Sequence, residues 1–297
     1  GTGGAGCNIS GTGTVQLADA MTCAGTVTLS SGTLDLNGKT CTWGGFSSSN
    51  SNVRTLTTGA ATITSSGAGN AGWWIPTATN MTVNASGSTI NLTGANVQFY
   101  AGFAWWDVNF TGGGGPFTGS SGTSFRNLSV AGTAVKTDYF GISVYNITVS
   151  GTFTANGNSA TNRLLIRSLT GGLVPDLGNA RTITAGATAG TNADFMDITG
   201  AGAAAPFTGT SIGDCGGNTQ ITATTPATQT HAASAGGSWS DASKWTSRVP
   251  LPQDDVIVDV NTTGTLTADM PRLGKSIDFT GFAGTFTPSV AWSLYGS

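Results

Sequence analysis

Apolar residues recur at every second position in short runs along most of the chain, and each run ends at Gly, Asn or Ser. Alternation with a period of two is typical of strands with one buried face. Long runs with helical spacing are missing, and Thr, Ser, Asn and Gly disfavour helix interiors. We therefore predict an all-β chain, with strands at 15–17, 27–29, 34–36, 81–83, 90–92, 97–99, 106–110, 128–130, 142–144, 147–149, 164–166, 182–184 and 195–198.

The predicted strands are too short to close a barrel. They suit a right-handed parallel β-helix, or β-solenoid, in which each coil of roughly 20 to 30 residues stacks on the one before it. The alternative is an array of two β-sandwich domains, which would need longer strands joined by hairpins. Asn37-Gly38 and Asn156-Gly157 are hairpin-type dipeptides, and we expect any such hairpins to decorate the coils.

The composition shifts near 224–250, where Pro residues surround a segment with two Trp residues. We predict a β-solenoid at 1–230, a junction or cap at 231–250, and at 251–297 the start of a second β unit, either sandwich-like or a second solenoid. Trp239, Trp245 and Asp254 are assigned to the junction as structural residues. The chain opens without Met and stops inside a predicted strand, so we expect it to be a piece of a longer polypeptide.

Charged side chains are scarce and scattered. The 297 residues include 46 Gly but only 11 Lys and Arg, 14 Asp and Glu, and one His, with a net charge of -3. No basic stripe is present, which argues against nucleic-acid binding. No apolar run approaches the roughly 20 residues of a membrane span. We expect no metal, no cofactor and no membrane insertion.

Cysteines at positions 7, 23 and 41 are separated by intervals close to the length of one predicted coil. Two interpretations stay open. Cys7, Cys23 and Cys41 are either small buried residues stacked in a ladder, or two of them form a disulfide, as Cys7–Cys23 or Cys23–Cys41. The fourth cysteine, Cys215, lies far along the chain and has no CxxC partner for zinc binding.

The segment 237–258 reads GSWSDASKWTSRVPLPQDDVIV. It resembles a G-x-W-x-D-x-x-x-W...V-P-x-x-x-D-x-V-x-I signature of β-solenoid tail-associated structural proteins of tailed bacteriophages and of related repetitive bacterial surface proteins. The flanking stretches 192–218 and 268–278 look like the same group. The resemblance implies a virion or cell-surface fibre component, and it carries no catalytic residues over to this chain.

Enzymes that cleave glycans on β-helices need two carboxylates a few ångströms apart. The candidate groups here are Asp194 with Asp197, and the cluster Asp254, Asp255 and Asp259. Asp at strand starts and turns commonly accepts backbone hydrogen bonds. We favour this structural interpretation for both groups, and we expect no enzymatic activity.

Aromatic residues are the candidate binding surface: Trp73, Trp74, Tyr100, Trp105 and Trp106. Neighbouring residues of a strand point to opposite faces, so one Trp of each pair is expected in the core and the other outside. Exposed rings stacked on adjacent coils would form a platform for sugars or a partner chain. Alternatively, loops of the same chain cover them.

These observations predict a non-enzymatic structural or receptor-engaging segment of a phage tail fibre or similar extracellular appendage. The alternatives are a bacterial surface adhesin or extracellular filament subunit, and a β-helical polysaccharide depolymerase. We expect self-association into a homo-oligomer or fibre, contact with a host surface or glycan, and a location that is extracellular or on the virion.

Overall fold

The computed structural model describes residues 5–169, 179–231 and 235–296. They form an all-β protein, which confirms the predicted fold class at that level. Its strands, in chain order, are β1 (Cys7–Ile9), β2 (Thr14–Gln16), β3 (Met21–Leu29), β4 (Gly32–Asp35), β5 (Cys41–Ser47), β6 (Arg54–Thr57), β7 (Thr62–Ser65), β8 (Gly69–Ile75), β9 (Met81–Asn84), β10 (Thr89–Leu92), β11 (Val97–Ala101), β12 (Ala104–Phe110), β13 (Gly114–Phe117), β14 (Ser124–Ala131), β15 (Tyr139–Ile142), β16 (Ile147–Asn156), β17 (Leu164–Ser168), β18 (Arg181–Thr191), β19 (Ala193–Met196), β20 (Ile198–Ala201), β21 (Gly213–Asp214), β22 (Thr228–His231), β23 (Gly236–Ser238), β24 (Asp255–Val258), β25 (Thr265–Ala268), β26 (Arg272–Gly274), β27 (Ser276–Asp278), β28 (Thr285–Pro288) and β29 (Ser293–Leu294). A 3-10 helix, Ala242–Lys244, lies between β23 and β24.

The strands up to β21 build three parallel sheets. The first sheet has the order β1-β3-β5-β7-β10-β12-β14-β16-β18-β20, with β8 and β11 attached to it. The second has the order β2-β4-β6-β9, and the third β13-β15-β17-β19-β21. We call the stretch of chain that adds one strand to the first sheet a layer. Each layer pairs with the layer before it, which is compatible with a parallel β-helix.

Register between layers stacks similar residues on each other. Ile63, Ile90, Val108 and Leu128 are successive register partners on β7, β10, β12 and β14, and all four are fully buried. Because side chains alternate between the faces of a strand, the intervening residues point away from this core. The apolar alternation in the sequence therefore produces one column of core residues that runs through the layers.

The outward face of the first sheet carries a matching row of uncharged polar residues. Thr42, Thr64, Asn91, Asn109 and Ser129 are register partners in five successive layers. The amide of Asn109 donates to the side-chain oxygen of Asn91 over 3.0 Å. Neutral side chains can repeat in this way without the repulsion that like charges on neighbouring strands would cause.

Glycines line one corner of the stack. A Cβ on Gly44 would overlap the carbonyl oxygen of Ala24, one on Gly67 that of Gly44, one on Gly94 that of Gly67, and one on Gly112 that of Gly94. At each glycine of this column, the backbone of the neighbouring layer is too close to leave room for a side chain. This close approach of backbone to backbone is the physical reason why glycine occupies these positions.

Within the described residues, the strands from β22 onward pair with one another and not with earlier strands. We call β1 to β21 the first unit and β22 to β29 the second unit. They form parallel sheets with the orders β22-β24-β27, β23-β25-β28 and β26-β29. Their core contains Trp239, Val256, Leu266 and Leu273. β22 begins within the range 1–230 that was predicted as the β-solenoid, yet its register partner is β24.

Among the described residues, every pair of neighbouring strands is parallel. Antiparallel pairing there is limited to an isolated bridge between His231 and Trp245. Sandwiches of the immunoglobulin type are built from antiparallel sheets. The described residues therefore do not form the alternative fold, an array of antiparallel β-sandwiches.

Candidate functional site

The five aromatic residues predicted as an exposed platform do not share one surface. Trp73 on β8 and Trp105 on β12 lie in the core with 0% and 2% of their surfaces exposed. Their rings meet at right angles with 5.4 Å between centroids. One Trp of each adjacent pair is thus buried, as the alternation predicts. The register points Trp73 inward against Phe46 and Phe99, so Trp73 and Trp105 do not belong to an exposed platform.

The neighbour of each buried Trp is partly exposed, as alternation requires. Trp74 and Tyr100 are register partners on β8 and β11, and their ring centroids are 4.9 Å apart. They form a small aromatic pair on adjacent layers.

Trp106 lies apart from this pair. The guanidinium of Arg126 covers its ring, 4.6 Å from the centroid, and Arg126 also forms an ion pair with Asp107. Within the described residues, the ring contacts of Trp106 do not include Trp74 or Tyr100. The predicted platform is therefore replaced by two separate patches.

The cysteines form neither a disulfide nor a ladder of register partners. Cys7, Cys23, Cys41 and Cys215 are all free. Cys23 is in register with Trp43, and Cys41 with Met21 and Ile63, so Cys23 and Cys41 do not face each other across the layers. Burial raises the pKa of the Cys41 thiol to about 11. The disulfide alternative is not what the structure contains.

Asp194, a candidate catalytic residue, lies in a fully buried ion cluster with two arginines. Its Oδ1 accepts from Nε of Arg163 over 2.8 Å and pairs with the same guanidinium at 2.6 Å. Its Oδ2 accepts from Nε of Arg272 over 2.6 Å. Arg163 precedes β17, Asp194 lies on β19 and Arg272 begins β26. We call these three residues the ion triad.

The ion triad removes Asp194 from proton chemistry near neutral pH. Burial by itself would raise the pKa of this carboxyl, but the charges and hydrogen bonds of Arg163 and Arg272 outweigh it and hold the pKa below its ordinary value. A carboxylate that stays ionised between two arginines has no proton to donate. Both of its oxygens accept hydrogen bonds from arginines, so we assign Asp194 a structural role.

Arg163 also joins two layers directly. Its guanidinium donates to the hydroxyl of Ser211 over 2.9 Å and to the carbonyl oxygen of Ser211 over 2.7 Å. Buried arginines require partners of this kind for their donors. The cluster thus connects the residue before β17, strand β19 and the segment before β21 with β26.

Asp254 forms hydrogen bonds that connect separate segments of the predicted junction. Its carboxylate accepts from the backbone of Ala227 and Leu251 and from the guanidinium of Arg248, while its own side chain is fully buried. The backbone carbonyl of Asp254 accepts from Lys275 in the next layer. These bonds connect the segment before β22 with the loop that leads into β24.

The other predicted carboxylates occupy similar structural positions. Asp255 accepts from the hydroxyl of Ser276 over 2.7 Å, and Asp259 accepts from the backbone and side-chain amides of Asn261. Asp197 is buried, and its backbone N donates to the carbonyl of Gly216. The structure does not bring two of the candidate carboxylates together in an open cleft.

The two tryptophans predicted for the junction are buried side by side. Trp239 and Trp245 have ring centroids 4.7 Å apart, and the indole N–H of Trp245 donates to the carbonyl of Trp239 over 2.8 Å. His231 packs edge-on against Trp245. These contacts place both rings in the core of the second unit. Between the two tryptophans, Asp241 caps the N-terminus of the short helix Ala242–Lys244.

A groove of about 640 Å³ lies where the third sheet meets β26 and β29. Tyr139 and Arg167 come from β15 and β17, and Trp292 and Tyr295 come from the last described segment. The sequence does not indicate these residues as a group, because they are far apart in the chain and none belongs to a motif. Only the contact between the two units brings them together.

Among the described residues, no group of three His, Cys, Asp or Glu side chains has the arrangement of metal ligands. No helix there has the length and apolarity that crossing a bilayer requires. Comparison with protein-family models, with curated proteins and with solved structures finds no match for this chain.

Proposed function

We propose that the chain is a right-handed parallel β-helix of two successive units that serves as a non-enzymatic, structural or receptor-engaging segment of a phage tail fibre or similar extracellular appendage. The observation that carries the proposal is the in-register row of neutral residues on the first sheet, which includes Thr42, Thr64, Asn91 and Asn109. Parallel layers with such faces extend by simple repetition. Nine steps between the ten strands of this sheet, at about 4.8 Å each, amount to roughly 43 Å.

The placement of the carboxylates supports the non-enzymatic part of the proposal. Asp194 and Asp254 are themselves buried, and their carboxylates bind arginines and, for Asp254, backbone N–H groups. Glycan cleavage would need a carboxylic acid and a second carboxylate facing a common cleft. The resemblance of segment 237–258 to tail-associated proteins supports the choice of appendage. In this proposal the chain self-associates and contacts a host surface.

Fractionation of a culture of the source organism tests the proposal. Particles and detached fibres are separated from soluble protein on a density gradient, and peptides of this chain are quantified in each fraction. We expect them to peak with virions or fibres, in fractions that release no reducing ends from cell-surface polysaccharide. A peak among soluble proteins, with polysaccharide cleavage in the same fractions, would overturn the proposal.

A further inference from the structure

The ion triad carries one positive charge that no member of it balances. Arg163 and Arg272 share a single counter-ion, since Oδ1 of Asp194 binds the first and Oδ2 binds the second. Both arginine side chains are buried, with 1% and 5% of their surfaces exposed. A buried charge without its own counter-ion is costly, because little water reaches it. An anion placed against the triad would supply the missing negative charge.

The groove between the two units gives such an anion access to Arg272. Its volume of about 640 Å³ lies within the range of roughly 300 to 1,000 Å³ that is common for ligand sites. Residues of β15 and β17 form one wall, and residues of the segment 271–295, including Arg272, form the other. Because both units contribute walls, the groove exists only when they are packed together.

Arg272 presents one end of its guanidinium to the groove. Its Nε is bonded to Asp194, and its Nη2 to the backbone carbonyl of Arg163. Among the described residues no group accepts from its Nη1, yet Nη1 is not one of the buried nitrogens that lack a partner. Nη1 therefore reaches the open space of the groove, where it can donate to a ligand.

Arg167 adds a second guanidinium to the groove. Within the described part of the chain it takes part in no ion pair. Its Nε is buried without a partner, whereas its two Nη atoms are not buried. The ring of Tyr139 lies against one face of the guanidinium, 5.8 Å away, so the Nη atoms rather than that face are open to a ligand. Such N–H donors bind the oxygens of a carboxylate strongly.

The register of the third sheet brings the two positive charges close together. Leu165 is the register partner of Asp194, and Arg167 lies two residues further along the same strand. Two residues span about 6.6 Å and neighbouring strands lie about 4.8 Å apart, so the Cα atoms of Arg167 and Asp194 are about 8 Å apart. Arg272 is bonded to Asp194. One ligand can therefore contact both Arg167 and Arg272.

Acids near the groove do not cancel these charges. Asp138 is the acid among the residues that line it, and its Oδ2 accepts from the backbone and the hydroxyl of Thr133. It opposes one of the two positive charges and leaves the other. Asp214 is not part of the wall, and its Oδ1 accepts from Gly216 and Asn218. The lining thus favours a negatively charged ligand.

The rest of the lining suits a sugar. Trp292 has 39% of its surface exposed, and its ring meets Phe286 at 90° with 5.7 Å between centroids. Thr137 and Ser293 add hydroxyl groups to the wall. The apolar face of a pyranose packs on an aromatic ring, and its hydroxyl groups bond to polar side chains. A ligand with a carboxylate, an apolar face and hydroxyl groups matches all three features.

We propose that this groove binds an acidic oligosaccharide, with a sugar carboxylate held by Arg167 and Arg272 and a neighbouring pyranose packed on Trp292. The biological role of this site rests on the proposed function, because the inference names the class of receptor: a polysaccharide that carries carboxylated sugars. Binding itself can be measured without knowing where the protein is located.

Calorimetric titration of the full chain with defined hexamers tests the inference. Hexamers of galacturonic acid and of mannuronic acid are the acidic sugar probes, cellohexaose and chitohexaose are the neutral ones, and hexaglutamate is an acidic peptide. We expect at least one acidic sugar to bind with a dissociation constant in the millimolar range or tighter, and the neutral sugars and hexaglutamate to bind about tenfold more weakly or not at all.

Salt should weaken the binding of the acidic sugar. The screening length falls from about 10 Å at 0.1 M salt to about 3 Å at 1 M, which reduces the attraction between the carboxylate and the two arginines. We expect the dissociation constant to rise across this range. An affinity that does not change with salt would contradict recognition by charge.

A pair of arginine variants locates the site. Arg167→Gln should weaken binding of the acidic sugar by about tenfold or more. Arg126→Gln is the matched control, because it removes the same charge from a guanidinium that covers Trp106 on the first sheet, and we expect no change in affinity. Arg167→Lys keeps the charge but loses the fork of donors, so its affinity should fall between those of wild type and Arg167→Gln. Thermal midpoints of all three variants show whether they fold as wild type does. If Arg167→Gln unfolds early, Trp292→Ala gives a second test of the same groove.

Four further results would overturn the inference: no binding of either acidic sugar, equal binding of the neutral sugars, tighter binding of hexaglutamate, or equal losses in Arg167→Gln and Arg126→Gln. None of these would bear on the fractionation experiment. Conversely, a chain found outside virions and fibres that still bound an acidic sugar through Arg167 would contradict the proposed function and leave the groove assignment standing.

Discussion

Arg272 donates a hydrogen bond from Nε to Oδ2 of Asp194 over 2.6 Å, across 78 positions of the sequence and with at most 5% of either side chain exposed. The same guanidinium donates from Nη2 to the backbone carbonyl of Arg163. The second unit thus contributes a charge that the buried end of the first unit requires. This relationship ties the stability of the two units together.

Replacement of Asp194 by Asn should destabilise the whole chain. Asp194→Asn keeps the shape of the side chain but leaves two buried arginines without a counter-charge, and breaking a buried ion pair from one side costs about 3–5 kcal/mol. Denaturant unfolding followed by tryptophan fluorescence measures the effect. The control is Arg126→Gln, which breaks an exposed ion pair worth about 1 kcal/mol or less. An Asp194→Asn protein as stable as Arg126→Gln would refute the role of the triad.

The stability of the chain should fall in acid. Burial tends to raise the pKa of Asp194, but the two arginines outweigh it and keep the pKa in the folded state below its ordinary value. The carboxyl group therefore loses its proton at a lower pH in the folded state than in the unfolded state. The stabilisation is therefore complete above the unfolded pKa of about 3.9 and is lost as the pH falls through the lower folded pKa. Unfolding curves from pH 7 to pH 2 check this. The stability gap between wild type and Asp194→Asn should narrow below about pH 4, and a constant gap would contradict the prediction.

His231 should titrate below its ordinary pKa of 6.5. Burial disfavours its charged form, and the positive charge of Lys244 adds to the effect, against smaller opposing contributions from its own backbone and from Asp241. Its Nδ1 lies 3.1 Å from the hydroxyl of Thr262. Stability from this group is complete above the unfolded pKa and is lost as the pH falls through the lower folded pKa.

The chain has a single histidine, so one imidazole resonance in an NMR titration reports its pKa without ambiguity. We expect a midpoint below 6.5. A midpoint at or above that value would show that His231 is solvated or paired with an acid, against the packing on Trp245.

Replacing a glycine at the layer corner should lower the stability of the folded chain. Gly94→Ala would place a Cβ against the carbonyl of Gly67, and overpacking of this kind costs about 1–3 kcal/mol. Gly13→Ala is the control, because a Cβ there meets nothing within 4 Å, and we expect a change within about 0.5 kcal/mol. Thermal unfolding compares the two proteins. Equal midpoints would mean that the layers can separate at this corner without cost.

Much of the fold could be predicted because a strand in this protein needs only two or three alternating apolar residues. Ile90 and Leu92 on β10 follow that pattern without interruption. β5 was missed since its Gly44-Gly45 pair breaks the alternation. β13 was missed because it begins with two glycines. Gly supplies no side chain, so its place in a strand depends on the neighbouring layer.

The candidate site was less predictable, because it depends on register and on contacts between distant segments. Adjacency alone indicated that Trp73 and Trp74 face opposite sides, but only pairing with Phe46 and Phe99 decides which one is inside. Nothing near Asp194 in the sequence indicates Arg272 as its partner. The groove lined by Tyr139 and Trp292 depends on the same long-range packing.

Immunogold electron microscopy shows directly whether this chain is part of a tail fibre or similar appendage. Antibodies raised against this chain are applied to particles and filaments from the source organism, with pre-immune serum as the control. We predict gold particles along tail fibres or similar filaments, at positions that repeat from one appendage to the next. Label confined to the cell interior, with virions and filaments no more decorated than in the control, would contradict the claim.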